Sequence, residues 1–395
     1  MLIRRKSPLH LMYCLNFGPV DSSTAFEEKI ETHLLPVRNT IAEDRPFAVG
    51  PWFNHVLAAR LQESGVRDAL IQFLRRHALY ICSLNGFPYG SFHGEAIKEH
   101  VYEPNWRTEA RKSYTLQLAQ IFAEILPTDV SYGSISTVPG AFAAHVTSPE
   151  YRREIIERLT ETAFDLAALK SHTGAEICLG LEPEPGCLLD TLEETLGFFE
   201  ELHDYGAHHL QTIQQLGQSE AATILQTHIG VCLDTCHAAT NFEDPLHVLK
   251  ALKLHGIRIP KAQLSSGLHV DLSSEGLACI EAFDDPIYLH QAVARDEDLK
   301  HRWNDLQQAL TDLKKLDNAD ALRVHFHVPL SWKGDKQLQP SWKMDSSFLD
   351  ALAECGVEHA EIETYTYDVL PETLAPSTLK DGILSEYETV LNVAG

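Results

Sequence analysis

Nine short apolar runs recur along the 395-residue chain, separated by longer stretches with helical spacing. They are Leu9–Leu15, Phe47–Gly50, Ala78–Leu84, Val130–Ile135, Glu176–Glu182, Ile229–Asp234, Ile259–Ser265, Leu322–Val328 and His359–Thr364. Between them lie amphipathic segments with start signals. Asp21-Ser22 precedes Phe26, Ile30 and Leu34, Pro149-Glu150 opens a run toward Leu169, and Asp190-Thr191 with Glu193 opens Leu192–Leu202. Strands alternating with helices build a parallel sheet, because each crossover returns the chain to the same edge direction. About eight such units predict a (β/α)8 TIM barrel, a fold that usually takes ~250 residues. The excess length falls after the third strand, at about 87–106, and before the last, at about 266–321, with helices expected over Asp296–Leu316. Nine runs compete for eight places. Leu322–Val328 is assigned to the second insertion or a position beside the barrel, and His359–Thr364 to strand eight, within a single barrel domain over 1–395.

Side-chain parity then decides what the strands present. In Ile229–Asp234, the bulky Ile229, Val231 and Leu233 alternate with Gly230, Cys232 and Asp234. The bulky side faces the helices, so Asp234 points inward at the C-terminal end. The same reading sends Glu182 inward after Cys178 and Gly180, Gln263 inward with Lys261 and Ser265, and Glu363 inward with Glu361. Barrel enzymes keep their chemistry at that end. Carboxylates crowded there repel one another and lose hydration. A divalent cation removes the conflict, and oxygen-rich ligation with a neutral amide suits Mn²⁺, Mg²⁺ or Zn²⁺. Glu182, Asp234, Gln263 and Glu363 are the expected metal ligands. Pairing with Lys261 offers a structural reason for one acid, not for three.

Imidazoles cluster in sequence near the same end. His237 follows Asp234 by three residues, and Val324-His325-Phe326-His327-Val328 puts two on one face of a strand. These histidines either extend the metal site, form a second one from His237, His325 and His327, hold substrate, or are hydrogen-bonded residues of the barrel mouth. Glu182-Pro183-Glu184-Pro185-Gly186 holds two carboxylates extended, because each proline restricts its own φ and its predecessor. The loop Asn85–Gly94, with Lys98 and Trp106 beyond it, is aromatic and glycine-rich and leaves a strand at the catalytic end, as does Val138-Pro139-Gly140. Both are candidate lids. The chain has 21 histidines, and most of them, such as His145, His208 and His209, are read as ordinary.

A net charge of −24 argues against nucleic acid as the main partner, since phosphate contacts need Lys or Arg. Eight scattered cysteines without a C-x-x-C pair read as reduced, buried thiols. Arg4-Arg5-Lys6 followed by Leu9–Leu15 resembles a signal peptide only superficially, because the run is short, carries His10 and lacks a small-residue cleavage site. It reads as the first core strand. No run approaches the ~18 apolar residues of a membrane span, and the expected location is cytoplasmic. There is no phosphate-binding loop, no dinucleotide fingerprint, no nucleophile elbow and no H-E-x-x-H.

Cys232-Leu233-Asp234-Thr235-Cys236-His237-Ala238, Glu182 with Gly186 four later, and Glu363-Thr364 resemble the xylose-isomerase-like TIM-barrel superfamily of sugar isomerases, epimerases and endonuclease IV-like nucleases. Leu11–Asn16, Phe87-Pro88-Tyr89-Gly90 and Leu181–Gly186 are similar to the TIM-barrel proteins of bacterial Ebo gene clusters, which are associated with metabolite traffic. The superfamily resemblance implies that Glu182, Asp234 and Glu363 are metal ligands and that Gln263 stands where a histidine ligand is usual. It implies that His237 binds substrate or a further zinc, and that His325 and His327 replace an Asp-x-His pair. The early histidines of the nucleases have no counterpart at Leu84-Asn85 or Ser136-Thr137.

The expected function is a metal-dependent sugar or sugar-phosphate isomerase or epimerase. Glu182 and Glu363 act as acid and base, and His237, Lys261, Glu184 and His327 contact a small-molecule metabolite. Two alternatives stay open: a phosphodiesterase with two metals, and a metabolite-binding protein of Ebo type without isomerase activity.

Overall fold

The inward and outward alternation read from the sequence is realised as a closed parallel barrel. The strands in chain order are β1 Leu2–Arg4, β2 Pro8–Tyr13, β3 Phe47–Ala48, β4 Leu79–Tyr80, β5 Ser83–Asn85, β6 Gly133–Thr137, β7 Ile177–Leu181, β8 Ile229–Asp234, β9 Lys261–Leu264, β10 Ser266–Val270, β11 Ala292–Asp296, β12 Leu299–Trp303, β13 Ala319–Val328, β14 Leu338–Pro340 and β15 His359–Ile362. The structure is a computed structural model that describes all residues except 5–6, 19, 44, 91–97, 286, 298, 317 and 373.

Parallel pairing runs β5-β6-β7-β8-β9-β15-β2. The gap between β2 and β5 is closed by the β3–β4 pair and by single bridges Cys14–Gly50 and Trp52–Asn85. Eight staves result: β2, β3, β4 with β5, β6, β7, β8, β9 and β15. The crossover helices start where polar side chains take orphan amides. Ser148 caps Pro149–Thr173, and Thr191 forms a capping box with Glu194 at the start of Leu192–Glu201. The helix-facing side of the barrel is the main apolar core, including Leu11, Ile135, Leu179, Val231, Leu264 and Ile362.

The chain from Ser266 to Pro340 folds into a second, antiparallel sheet in the order β12-β11-β13-β10-β14. It has its own core around Leu268, Ile280, Leu322, Val324 and Phe326. This excursion is longer than the expected 266–321, because Leu322–Val328 is its central strand and β14 follows it. The expected helix over Asp296–Leu316 is instead a hairpin strand, a short helix Leu306–Asp312 and one 3-10 turn. Alternating pairs with β11, such as Ala294 with His301, fix that hairpin. The fourth barrel strand also lies later than expected, at Gly133–Thr137 instead of Val130–Ile135. All eight cysteines are free. Among the described residues, no helix is long and apolar enough to cross a membrane.

The last helix, Leu379–Ala394, is fastened to the barrel by a buried carboxylate. Glu386 accepts from Tyr13 Oη at 2.5 Å, Tyr367 Oη at 2.5 Å, Thr364 Oγ1 at 2.8 Å and the amide of Leu330 at 2.9 Å. Those donors belong to the first stave, the segment after the last, and the chain following β13. Removing the acceptor strands several buried donors at once. Glu386→Ala is therefore expected to lower unfolding stability by about 2–4 kcal/mol, measured by urea denaturation. A loss below about 1 kcal/mol would show that the four-way contact does not hold the helix.

Candidate active site and metal centre

The floor of the site is a ring of side chains from the C-terminal ends of β7, β8, β9 and β15. Glu182, Asp234, Gln263 and Glu363 are all at least nine-tenths buried. Ligand atoms of Glu182, Asp234 and Glu363 lie within 4.8 Å of one another. Gln263 Nε2 donates to Glu182 Oε1 at 3.4 Å. Asn16, two residues past the inward-facing Cys14 of the first stave, donates through Nδ2 to Glu363 Oε1 at 2.6 Å.

Asp234 ends its strand as a helix cap. Its Oδ1 accepts from the amide of His237 at 2.9 Å and from Ser265 Oγ at 2.7 Å. The Asp-x-x-His spacing therefore has a backbone origin, since the aspartate opens the helix Thr235–Thr240 and His237 occupies its third position.

Three imidazoles converge from the side. His237 Nδ1 donates to the carbonyl of Pro183 at 2.9 Å. His325 Nδ1 donates to Gln291 Oε1 at 2.7 Å, and His327 Nδ1 to the carbonyl of Glu363 at 3.0 Å. With each Nδ1–H committed, the three Nε2 atoms are left to point into the site. His237 Nε2 lies 3.1 Å from His325 Nε2. Such a pair needs a proton or another cation between the nitrogens. Glu184 stands behind, receiving Tyr102 Oη at 2.7 Å and Gln291 Nε2 at 3.2 Å. Close donor sets combine Asp234, His237 and His327, and also Glu184, His237 and His325. Cys236 lies near His325 and His327, but burial raises its thiol far above the usual range, so it stays protonated.

Burial dominates the titration of the acids and of two of the imidazoles. It pushes Glu182 up to about 7, with Asp234 adding to the rise against the field of His237. Burial, then Glu182 and Asp234, raises Glu363 well above the carboxylate range. It works on Asp234 in the same direction, but His237, His327 and the hydrogen bonds from His237 N and Ser265 outweigh it, so Asp234 stays low. Burial would lower His237, yet Asp234, Glu184 and Glu182 raise it. Burial and the neighbouring imidazoles push His325 far down, and burial takes His327 to about 4.

The donor set fits a divalent cation. Asp234 Oδ2, Gln263 Oε1 and His327 Nε2 are buried and have no hydrogen-bond partner. Buried acceptors are normally satisfied, and these three lie around one small region. Oxygen and imidazole ligands of this kind suit Mn²⁺, Mg²⁺ or Zn²⁺.

Lys261 does not reach this site. Its ammonium is wholly buried one layer below, paired with Glu361, and donates to Asn85 Oδ1 at 2.7 Å. The expected substrate contact is replaced by a core ion pair, because Lys261 lies two residues short of Gln263 on β9, level with Cys232 of β8 and not with Asp234. Of the candidate lids, Phe87, Pro88 and Lys98 line the cavity. Residues 91–94 of that loop lie outside the described residues. Val138-Pro139-Gly140 packs away from the cavity, where Gly140 faces Leu188 and its carbonyl accepts from the amide of Trp106. Trp106 is buried and donates to Thr137 Oγ1 at 3.1 Å.

Several contributors were not read from the sequence. Asn16 and Asn85 continue the parity of their strands and were within reach of it. Tyr102 and Gln291 come from a 3-10 turn and a loop, where no periodicity marks them.

No protein-family model and no curated protein matches the chain. Solved structures do resemble it. A xylose isomerase domain protein from Planctomyces limnophilus aligns over 98% of this chain and 95% of its own, at 11% identity and a TM-score of 0.50. A xylose isomerase-like TIM-barrel protein from Mycobacterium smegmatis, in complex with magnesium, aligns over 98% and 96%, at 10% identity and a TM-score of 0.50. At these identities the likeness concerns the fold alone, and that fold is a TIM barrel.

The raised acids tie metal binding to pH. In the folded chain Glu182 titrates at about 7, above its ordinary value of 4.5, so the native state holds that proton more tightly than the unfolded chain. Its contribution to stability is present below the ordinary value and is lost as pH rises through about 7. A cation displaces the proton and relieves the loss. Mn²⁺ is therefore expected to raise the melting temperature of metal-stripped protein more at pH 8 than at pH 6. Equal shifts at both pH values, or none, would count against a cation among these carboxylates.

Proposed function

We propose that the chain is a divalent-metal-dependent enzyme of isomerase or epimerase type acting on a small hydroxylated metabolite. One observation carries this reading. Glu182 and Glu363 stand on staves three apart, both raised toward neutrality, and flank the unpartnered oxygens of Asp234 and Gln263. Two protonatable carboxylates on either side of a chelation point suit removal of a proton from one face of a carbon and its return on the other. Asp234, Gln263, Glu182 and Glu363 would hold the cation, which supplies Lewis-acid polarisation of a substrate oxygen. A protein of this fold in complex with magnesium supports a divalent ion.

Asn16 holds one oxygen of Glu363, so the other oxygen is the one offered to the substrate proton. Among the described residues, Glu182 receives only the long hydrogen bond from Gln263 and is free to exchange its proton near pH 7. His327, fixed by the carbonyl of Glu363, presents Nε2 toward bound hydroxyls, while His237, fixed by Pro183, shares its Nε2 with His325. Glu184 is locked by Tyr102 and Gln291 and sets the position of His325.

Proton transfer at carbon is read directly by exchange. Metal-loaded protein incubated in D₂O with a panel of ketoses and aldoses is expected to place deuterium at a carbon next to a carbonyl in the accepted substrate. Glu182→Gln and Glu363→Gln are each expected to slow that exchange by about 10²–10⁴-fold. Full exchange by either variant would remove this mechanism.

A second reading rests on the three converging imidazole nitrogens. A second cation held by His237, His325 and His327 would suit hydrolysis of a phosphodiester. Two ions per chain by elemental analysis, together with cleavage of a phosphodiester ester, would favour it. Metabolite binding without turnover, as the Ebo-type resemblance implies, would instead give no exchange with any substrate that binds.

A further inference from the structure

The cavity above the floor has two chemistries, and their division points to the kind of molecule it takes. It encloses about 710 Å³ of empty space, part of it open to solvent. Its polar groups lie at the bottom. Its mouth is apolar: Phe87 and Val101 from the excursion after β5, Ile287 and Leu289 from the segment before β11, and Tyr365 after β15. All five are half-buried, an arrangement that leaves apolar surface facing the opening.

Among the described residues, the same cavity offers an anionic ligand no lysine or arginine that is free of other partners. Lys98 is the one Lys or Arg among the described residues lining it. Its three N–H donors face Asp305 Oδ2 at 2.8 Å, the carbonyl of Tyr288 at 2.8 Å and that of Asp285 at 3.4 Å. The ammonium is thereby used to fasten one half of the mouth to the other. The neighbouring residues 91–97 contain no Lys or Arg in their sequence. The floor adds the acids Glu182, Glu184 and Glu363. His325 Nδ1 is committed to Gln291 and His327 Nδ1 to the carbonyl of Glu363, and both ring nitrogens of His237 already face Pro183 and His325.

We propose that the ligand is an unphosphorylated, oxygen-rich head carrying an aromatic or other apolar group, with the head on the carboxylate floor and the apolar group between Phe87, Val101, Ile287, Leu289 and Tyr365. This rests on the metal-assisted reading for the head alone. The apolar half stands on the cavity walls.

Three probes separate the terms: D-glucose, D-glucose 6-phosphate and phenyl β-D-glucopyranoside, each titrated calorimetrically into Mn²⁺-loaded full-length protein and into protein in EDTA. The phenyl glucoside is expected to bind about tenfold or more tighter than glucose, as burial of a ring requires. The phosphate is expected to bind no better than glucose. The double variant Ile287→Ser/Leu289→Ser is expected to reduce the phenyl advantage severalfold. Its melting temperature and manganese content are read in parallel, and Phe87→Ala serves as an independent variant on the other wall. Equal affinity for glucose and its phenyl glycoside, or preference for the phosphate, overturns the proposal. A phenyl preference that persists in protein unable to retain manganese would leave the ligand class standing and remove the metal-assisted function.

Discussion

The barrel is organised around the ion pair between Lys261 and Glu361, both wholly buried on its axis. Isolated charges at that depth would be prohibitively costly, so each is retained only because the other is present and further hydrogen bonds complete the pair. Asn85 supplies them, accepting from Lys261 and donating to both oxygens of Glu361 at 3.1 and 3.2 Å. Three staves are thus linked at mid-height. The packing around the pair is specific. A side chain on Gly50 would begin 1.5 Å from Glu361 Oε1, so the carboxylate occupies space that only glycine leaves open. The lysine is consumed one layer below the acids of the floor. Among the described residues no lysine or arginine forms an ion pair with Glu182, Asp234 or Glu363; the field of Lys261 offsets the burial of Glu182 and Glu363 only in part, and the charge deficit at the C-terminal end follows from the way the middle layer is satisfied.

That deficit explains why acids and imidazoles titrate oppositely in one place. Burial favours the neutral form of each: it raises Glu182 and Glu363 and lowers His325 and His327. Asp234 and His237 are the exception. They stabilise each other as ions, with the backbone of the short helix between them supplying one of the hydrogen bonds. The site thus contains one fixed ionic couple among groups poised to lose or gain protons.

Much of this was legible in the residues. Alternation identified the inward face of each stave, and the positions of Glu182, Asp234, Gln263 and Glu363 at strand ends follow from parity alone. Parity also placed Lys261 inward, but it does not report height along the axis, and so the lysine was read as a substrate contact. The strand Leu299–Trp303 falls inside the span expected as helix, 296–316, because it is held by pairing with β11, whose other edge is tied to the distant β13, and such pairing leaves no local period. Gln291 and Tyr102 are invisible to any periodic argument. They matter because the fold brings two irregular segments together over Glu184.

His325 and His327 belong to the central strand of the second sheet, whereas Asp234 and Glu363 belong to the barrel or its edge. An occupant that meets both the carboxylates and these imidazoles touches both sheets at once. Occupancy and the docking of the second sheet are therefore linked equilibria: what favours one favours the other to the same degree. The second sheet is half of the binding cleft as well as its cover, and its fit against the barrel bears on how strongly the site holds an occupant.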